Sequence, residues 1–138
     1  MKFVRIAAAA LLLSGSAATG VLAAGNLTTG ATVVKINMTP DKKFSTNAVE
    51  METGKAYNLQ ITKVGGGEWR FNAPDLFNNS YIFQIAIDGK EIKTRHIDYL
   101  EFDDTGTIAI TLVPNRIGAF KYWVTGEETG MTGTATVK

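Results

Sequence analysis

The chain has no cysteine and a single histidine, His96, among its 138 residues. No disulfide can staple it, and no structural zinc site of Cys and His can be built. A blue-copper centre, which needs a thiolate and two imidazoles with a weak axial Met, is excluded on the same count. Charge of either sign is also in short supply: 14 basic residues against 13 acidic leave a net charge of +1, with no concentrated run of Lys or Arg. Nucleic acid is therefore not an expected partner, because phosphate binding needs a basic face. Beyond the first 24 residues no window of eleven or more shows a helical apolar period. There is no Ser-His-Asp set, no Gly-rich phosphate loop and no dinucleotide fingerprint, so no hydrolase or transferase signature exists.

What is present begins with a leader. Lys2 and Arg5 form a positive head, Ile6–Leu13 an apolar stretch, and Val21-Leu22-Ala23 a small-residue cleavage site. Residues 1–24 therefore read as a secretory signal peptide of bacterial type, which places the mature protein in a periplasm. Ser14, Gly15 and Ser16 interrupt the apolar run, leaving it too short to span a bilayer, so no direct membrane span is expected. Residues 25–32 are small and polar, a flexible lead-in, and residues 33–138 form one domain. In an oxidising compartment without cysteine, stability must come from a core, for which about 110 residues suffice.

Along that domain apolar and polar residues alternate with a period of two. Val33–Met38 is a first strand, and Ala56–Val64 a second, with Tyr57, Leu59, Ile61 and Lys63 on one face and Asn58, Gln60 and Thr62 on the other. Between them, Thr39–Lys43 and Glu52–Lys55 are turn chemistry, flanking the block Phe44–Glu50. Residues 72–80 are a Pro- and Asn-rich loop with one helical turn. Asp88-Gly89 suits a type I′ turn joining Ile82–Ile87 to Glu91–Lys93. Ile97–Phe102, Thr107–Val113, Phe120–Tyr122 and Thr134–Val137 complete the series. Strands at intervals of about ten residues, separated by Gly, Asp and Pro, predict an all-β sandwich.

Residues 118–133 carry the most specific pattern: an aromatic strand, a polar loop with Glu127 and Glu128, and a Gly130-Met131-Thr132-Gly133 turn. This resembles the C-terminal metal loop of the cupredoxins, G-x-Y-x-Y-x-C…H…G-M-x-G, with Val124 where the Cys stands and Glu127 or Glu128 where the His stands. The N-terminal half is similar to the same family at Phe44, Val49, Gly54, Tyr57, Leu59, Ile61 and Gly65. Pro114–Gly118 corresponds to its turn before the last two strands. The resemblance implies a cupredoxin-like Greek-key β-sandwich of about seven to nine strands. After Gly65-Gly66-Gly67, where the first histidine ligand is expected, stands Glu68-Trp69. A glutamate there is similar to the cysteine-poor cupredoxin-like domain of bacterial periplasmic iron-uptake proteins, in which it is thought to bind metal.

The ligand set implied by that resemblance is Glu68, Glu127, Glu128 and Met131, with His96 as an additional candidate. Carboxylates are hard donors suited to iron, while a thioether is soft and favours Cu(I), so the set would take an iron or copper ion. Glu68 leads, since an acid–aromatic pair after three glycines has no obvious packing purpose. Against this, Glu127 and Glu128 are equally loop charges, Met131 a core plug and His96 polar surface. Two functions follow from different classes. One is a metal-binding accessory of iron uptake, assisting Fe²⁺ oxidation or transfer to an inner-membrane iron permease and working with other periplasmic uptake proteins. The alternative is a metal-free protein-interaction module, docking through Trp69, Trp123 and residues 72–80. A third reading, copper buffering through Met38, Met51 and Met131, is disfavoured because these methionines are scattered.

Overall fold

The computed structural model describes residue 27 and residues 29–138. The expected signal peptide, residues 1–24, lies outside the described residues, as does part of the expected 25–32 lead-in, whose last residue belongs to the first strand.

Two sheets face each other. The first has the order β2-β1-β4-β9-β6-β7 and the second β3-β11-β10-β5-β8. In chain order the elements are β1 (Thr32–Thr39), β2 (Lys43–Phe44), β3 (Ala48–Met51), β4 (Tyr57–Lys63), β5 (Trp69–Asn72), α1 (Pro74–Asn78) and β6 (Ser80–Ile87). They continue with β7 (Lys90–Ile92), β8 (Leu100–Phe102), β9 (Gly106–Pro114), β10 (Gly118–Val124) and β11 (Thr132–Val137). β1 runs parallel to β4, and β3 parallel to β11; all other pairings are antiparallel. The architecture is the expected all-β Greek-key sandwich.

Alternation decides which face of each strand turns inward. In β4 Tyr57, Leu59, Ile61 and Lys63 are buried while Asn58, Gln60 and Thr62 lie on the outer face. In β10 Phe120, Tyr122 and Val124 point in, and in β11 Gly133, Ala135 and Val137 do. Because side-chain direction alternates along a strand, this pattern is fixed locally, and each large apolar side chain fully buried adds about 1.5–3 kcal/mol. Phe44, Phe71 and Tyr122 bridge the sheets as a ring cluster, with centroids 5.3–6.0 Å apart. Asp88 and Gly89 both have positive φ (48° and 73°), as a type I′ turn requires.

The block 44–50 holds two short strands, β2 and β3, and the chain changes sheets between them. The segment from Trp69 to Asn72 adds a strand, β5, held between β8 and β10 by Trp69↔Phe102 and Val124↔Phe71, so the expected loop 72–80 starts one residue later. The expected strand of residues 97–102 is regular only over β8. The described residues form eleven strands rather than the expected seven to nine.

Candidate functional site at one end of the sandwich

The strand registers gather five connections at one end. β4 finishes with Lys63 opposite Met38 of β1 and Gly106 of β9, and Ile87 of β6 lies opposite Ile108. The turn of residues 40–42, the glycine loop 64–68, the tip at Asp88-Gly89, the turn 103–105 and the loop 125–131 therefore share that end. Contacts between them are close. Lys42 Nζ pairs with Glu127 Oε1 at 2.7 Å, linking a turn of one sheet to a loop of the other. A Cβ on Gly130 would stand 2.3 Å from the Lys42 carbonyl oxygen, so only glycine allows this approach.

The 125–131 loop is tied to itself. The Glu127 carbonyl accepts the N–H groups of Gly130 (3.1 Å) and Met131 (2.8 Å), and Val124 N–H donates to the Met131 carbonyl at 3.0 Å. The Thr132 hydroxyl closes on the Glu128 carbonyl at 2.7 Å. The Glu128 carboxylate accepts a hydrogen bond from Gly126 N–H. Its own N–H and then that of Gly126 hold its pKa below the usual carboxylate value, which keeps it charged. Both glycines of the Gly-Met-x-Gly motif are steric necessities. At Gly133 a Cβ would fall 2.2 Å from the Tyr122 ring.

Glu127, Glu128 and Met131 thus share one loop, and Glu68 lies on the neighbouring one, since Thr125 N–H donates to the Arg70 carbonyl at 3.0 Å. Their availability differs. Glu68 is exposed and makes no ion pair among the described residues, whereas Glu127 is engaged by Lys42 and Met131 is entirely buried. His96 lies apart: the chain around it runs beside Ser80–Phe83, away from the loop end, and its Nε2 meets Asp98 Oδ1 at 2.8 Å. Among the described residues no three His, Asp or Glu side chains form a group that could hold a metal ion.

Trp69 does have a packing purpose: it is 5% exposed, and its ring lies where a Cβ on Gly66 (φ +99°) would meet it at 2.4 Å. The glycines thus make room for the indole, and Glu68 is its outward-facing neighbour. Of the residues expected to form a docking patch, Trp69, Leu76 and Phe77 are turned into the core, while Trp123 is half-buried with the Lys121 ammonium 5.7 Å from its ring centre. Met38 and Met51 are core side chains as well.

One buried charged side chain also belongs to this end. Lys63 is 2% exposed, and its ammonium donates to the carbonyls of Phe102 (3.3 Å) and Asp103 (2.6 Å), fastening the 103–105 turn to β4 across the sandwich. Its place on the inward face was visible in the alternation of β4, but its acceptors were not.

No family model matches the chain, and no curated protein does. Solved structures do. A multi-copper oxidase from Pediococcus acidilactici superposes with a TM-score of 0.58 at 14% identity, covering 78% of this chain and 26% of that one. A multicopper oxidase from Campylobacter jejuni gives a TM-score of 0.54 at 11% identity, over 78% of this chain and 29% of its own. Auracyanin A, a "blue" copper protein from Chloroflexus aurantiacus, gives 0.52 at 10% identity, over 79% of this chain and 100% of its own. The fold is that of the cupredoxins. This chain spans only about a quarter of the first oxidase it matches.

The copper that such proteins carry does not fit the residues here. Val124, fully buried, occupies the position that the resemblance gives to the thiolate. The only histidine lies away from the loop end, and the Met131 thioether is packed in the core. Valine stands at the thiolate position and carboxylates at the imidazole positions, so the donor set that defines a blue-copper centre is not present in this chain.

Proposed function

We propose that this chain is a periplasmic cupredoxin-fold accessory protein that meets iron or copper ions as cargo. It holds them weakly through carboxylates of the loop end and passes them to an inner-membrane iron permease or another uptake protein. The observation that carries this reading is Glu68, an exposed carboxylate at the loop end with no ion pair among the described residues. Glu128, kept ionised by backbone N–H groups on the adjoining loop, is the natural second oxygen donor. Oxygen donors of this kind suit Fe²⁺ or oxygen-ligated Cu²⁺, and a site of few ligands suits transfer better than storage.

The metal-free interaction module is favoured by a different observation. Lys42 already neutralises Glu127, and Met131 offers no exposed sulfur. A loop end closed by its own ion pair would serve as a rigid docking surface.

Titration of the mature protein with Fe²⁺ under anaerobic conditions, Cu²⁺, Cu⁺ and Zn²⁺, followed by the thermal midpoint, separates the two. A ligand at a hundredfold excess over its Kd adds about 2.7 kcal/mol, on the order of 10 °C for a domain of this size. The metal reading expects such a rise with iron or copper that Glu68→Ala removes while leaving the metal-free midpoint unchanged. No rise with any of the four ions would refute it and leave the interaction module, to be pursued by partner capture.

A further inference from the structure

Away from the loop end, the outer edge of the six-stranded sheet is finished unevenly. β7 covers β6 only through the pairs Ile85↔Ile92, Ala86↔Glu91 and Ile87↔Lys90. From Ser80 to Gln84, the side of β6 turned away from β9 has no strand partner among the described residues. After Ile92 the chain swings outward instead of continuing along that edge. It leaves a hollow of about 530 Å³, walled by Tyr81 and Phe83 on one side and Lys93, Thr94 and Arg95 on the other. None of the carboxylates invoked for metal handling lines this hollow.

Its chemistry is one-sided. Lys93 and Arg95 are the charged groups that line its wall among the described residues; Glu91 pairs with Lys93 at 3.3 Å, so Arg95 is the cation left open to a ligand. Arg95 is exposed and makes no ion pair among the described residues. Lys93 Nζ is held 4.3 Å from the Phe83 ring centre by Gln84 Oε1 at 2.6 Å, with Glu91 at 3.3 Å, so its charge is fixed beside the edge. Tyr81 is 56% exposed and presents an aromatic ring to solvent. Ser80 completes the wall, with a buried hydroxyl that has no hydrogen-bond partner among the described residues. Two cations are too few for a nucleic-acid face, but they complement a short acidic segment. The unpaired edge, about 16 Å for five residues at the usual rise, is irregular at Phe83, where β6 shifts register against β9 between Ile82 and Gln84, and takes four or five residues of extended chain bent at that point.

We propose that this notch receives an extended acidic peptide segment of a partner protein by strand addition. The segment would pair its main chain with the Ser80–Gln84 edge, meet Arg95 and Lys93 with its carboxylates, and lay an apolar side chain on Tyr81 and Phe83. Main-chain pairing supplies affinity in this mode, and the flanking charges and pockets supply choice of partner. The competing explanation is that Lys93 and Arg95 only guard an exposed edge against aggregation, as charged residues on edge strands do.

The test uses the mature protein, ¹⁵N-labelled, with three synthetic pentapeptides: Glu-Val-Thr-Val-Glu, its Lys-Val-Thr-Val-Lys counterpart, and the acidic peptide N-methylated at alternate amides. Strand addition expects amide shifts centred on residues 80–84 with the acidic peptide, saturating at millimolar concentration or below. Arg95→Glu, an exposed change that leaves the fold intact, should weaken binding by about tenfold or more. The N-methylated peptide should not bind. Absence of shifts at 80–84 with the acidic peptide, or equal binding of the basic one, overturns the proposal in favour of edge protection. Retained binding of the N-methylated peptide overturns strand pairing.

Discussion

Tyr122 gives the sharpest quantitative test of how this sandwich is held together. Its ring lies against Gly133, its side chain is 1% exposed, and its hydroxyl donates to the Thr46 carbonyl at 2.9 Å. Burial pushes the phenol up to about 12 from its ordinary 10.0. The sign follows from linkage: the unfolded chain gives up this proton first, so the contribution is complete below pH 10 and is lost as pH rises toward 12. With those two values the loss is roughly 1.4 kcal/mol by pH 11 and roughly 2.3 kcal/mol by pH 12. Both are upper figures, because Thr46 is only partly buried and water near the hydroxyl would screen the phenolate. Tyr122→Phe removes the hydrogen bond and leaves the carbonyl without it, costing about 1–1.5 kcal/mol below pH 10, where the wild-type phenol is protonated in both the folded and unfolded chain. Urea unfolding at half-unit steps from pH 7 to pH 12 should therefore show the wild type more stable at neutrality. The two curves should converge and meet near pH 11, the wild type falling more steeply. Other tyrosines and lysines titrate in both proteins and cancel in the difference. Parallel curves from pH 9 to pH 12 would refute the claim that this phenol stays protonated because the fold dehydrates it.

Two further outcomes test the packing. Lys63→Met keeps an unbranched side chain in the core but withdraws the donor from the Phe102 and Asp103 carbonyls, and should cost about 1–3 kcal/mol in chemical unfolding. Lys63→Ala should cost more, since a void adds to the lost bonds; a methionine variant as stable as the wild type would show that burying the ammonium costs as much as its bonds return. Gly133→Ala places a methyl group 2.2 Å from the Tyr122 ring and should destabilise by about 1–3 kcal/mol. The same substitution paired with Tyr122→Leu should recover part of that loss, which a double-mutant cycle reads directly.

Legibility in the sequence followed the range of the interaction. The inward face of β4, the type I′ tip at Asp88-Gly89 and the single helical turn in residues 72–80 were all readable from neighbouring residues. β5 was hidden because four residues between a glycine loop and a helix carry little periodicity, and it exists only because β8 and β10 pair with it. The candidate site was legible as a list of residues and not as an arrangement. Glu127 looked available until Lys42, far earlier in the chain, came to rest 2.7 Å away. Trp69 looked idle until Gly66 was seen to yield its space.

An all-β sandwich without a thiolate copper site follows from the residues alone, because alternation and ligand identity are properties of the chain read residue by residue. The tertiary structure alone decided which carboxylates are free, why each glycine of the Gly-Met-x-Gly turn is needed, and where a sheet edge is left open. Those depend on atoms from distant segments meeting within a few ångströms, and no local pattern encodes such a meeting.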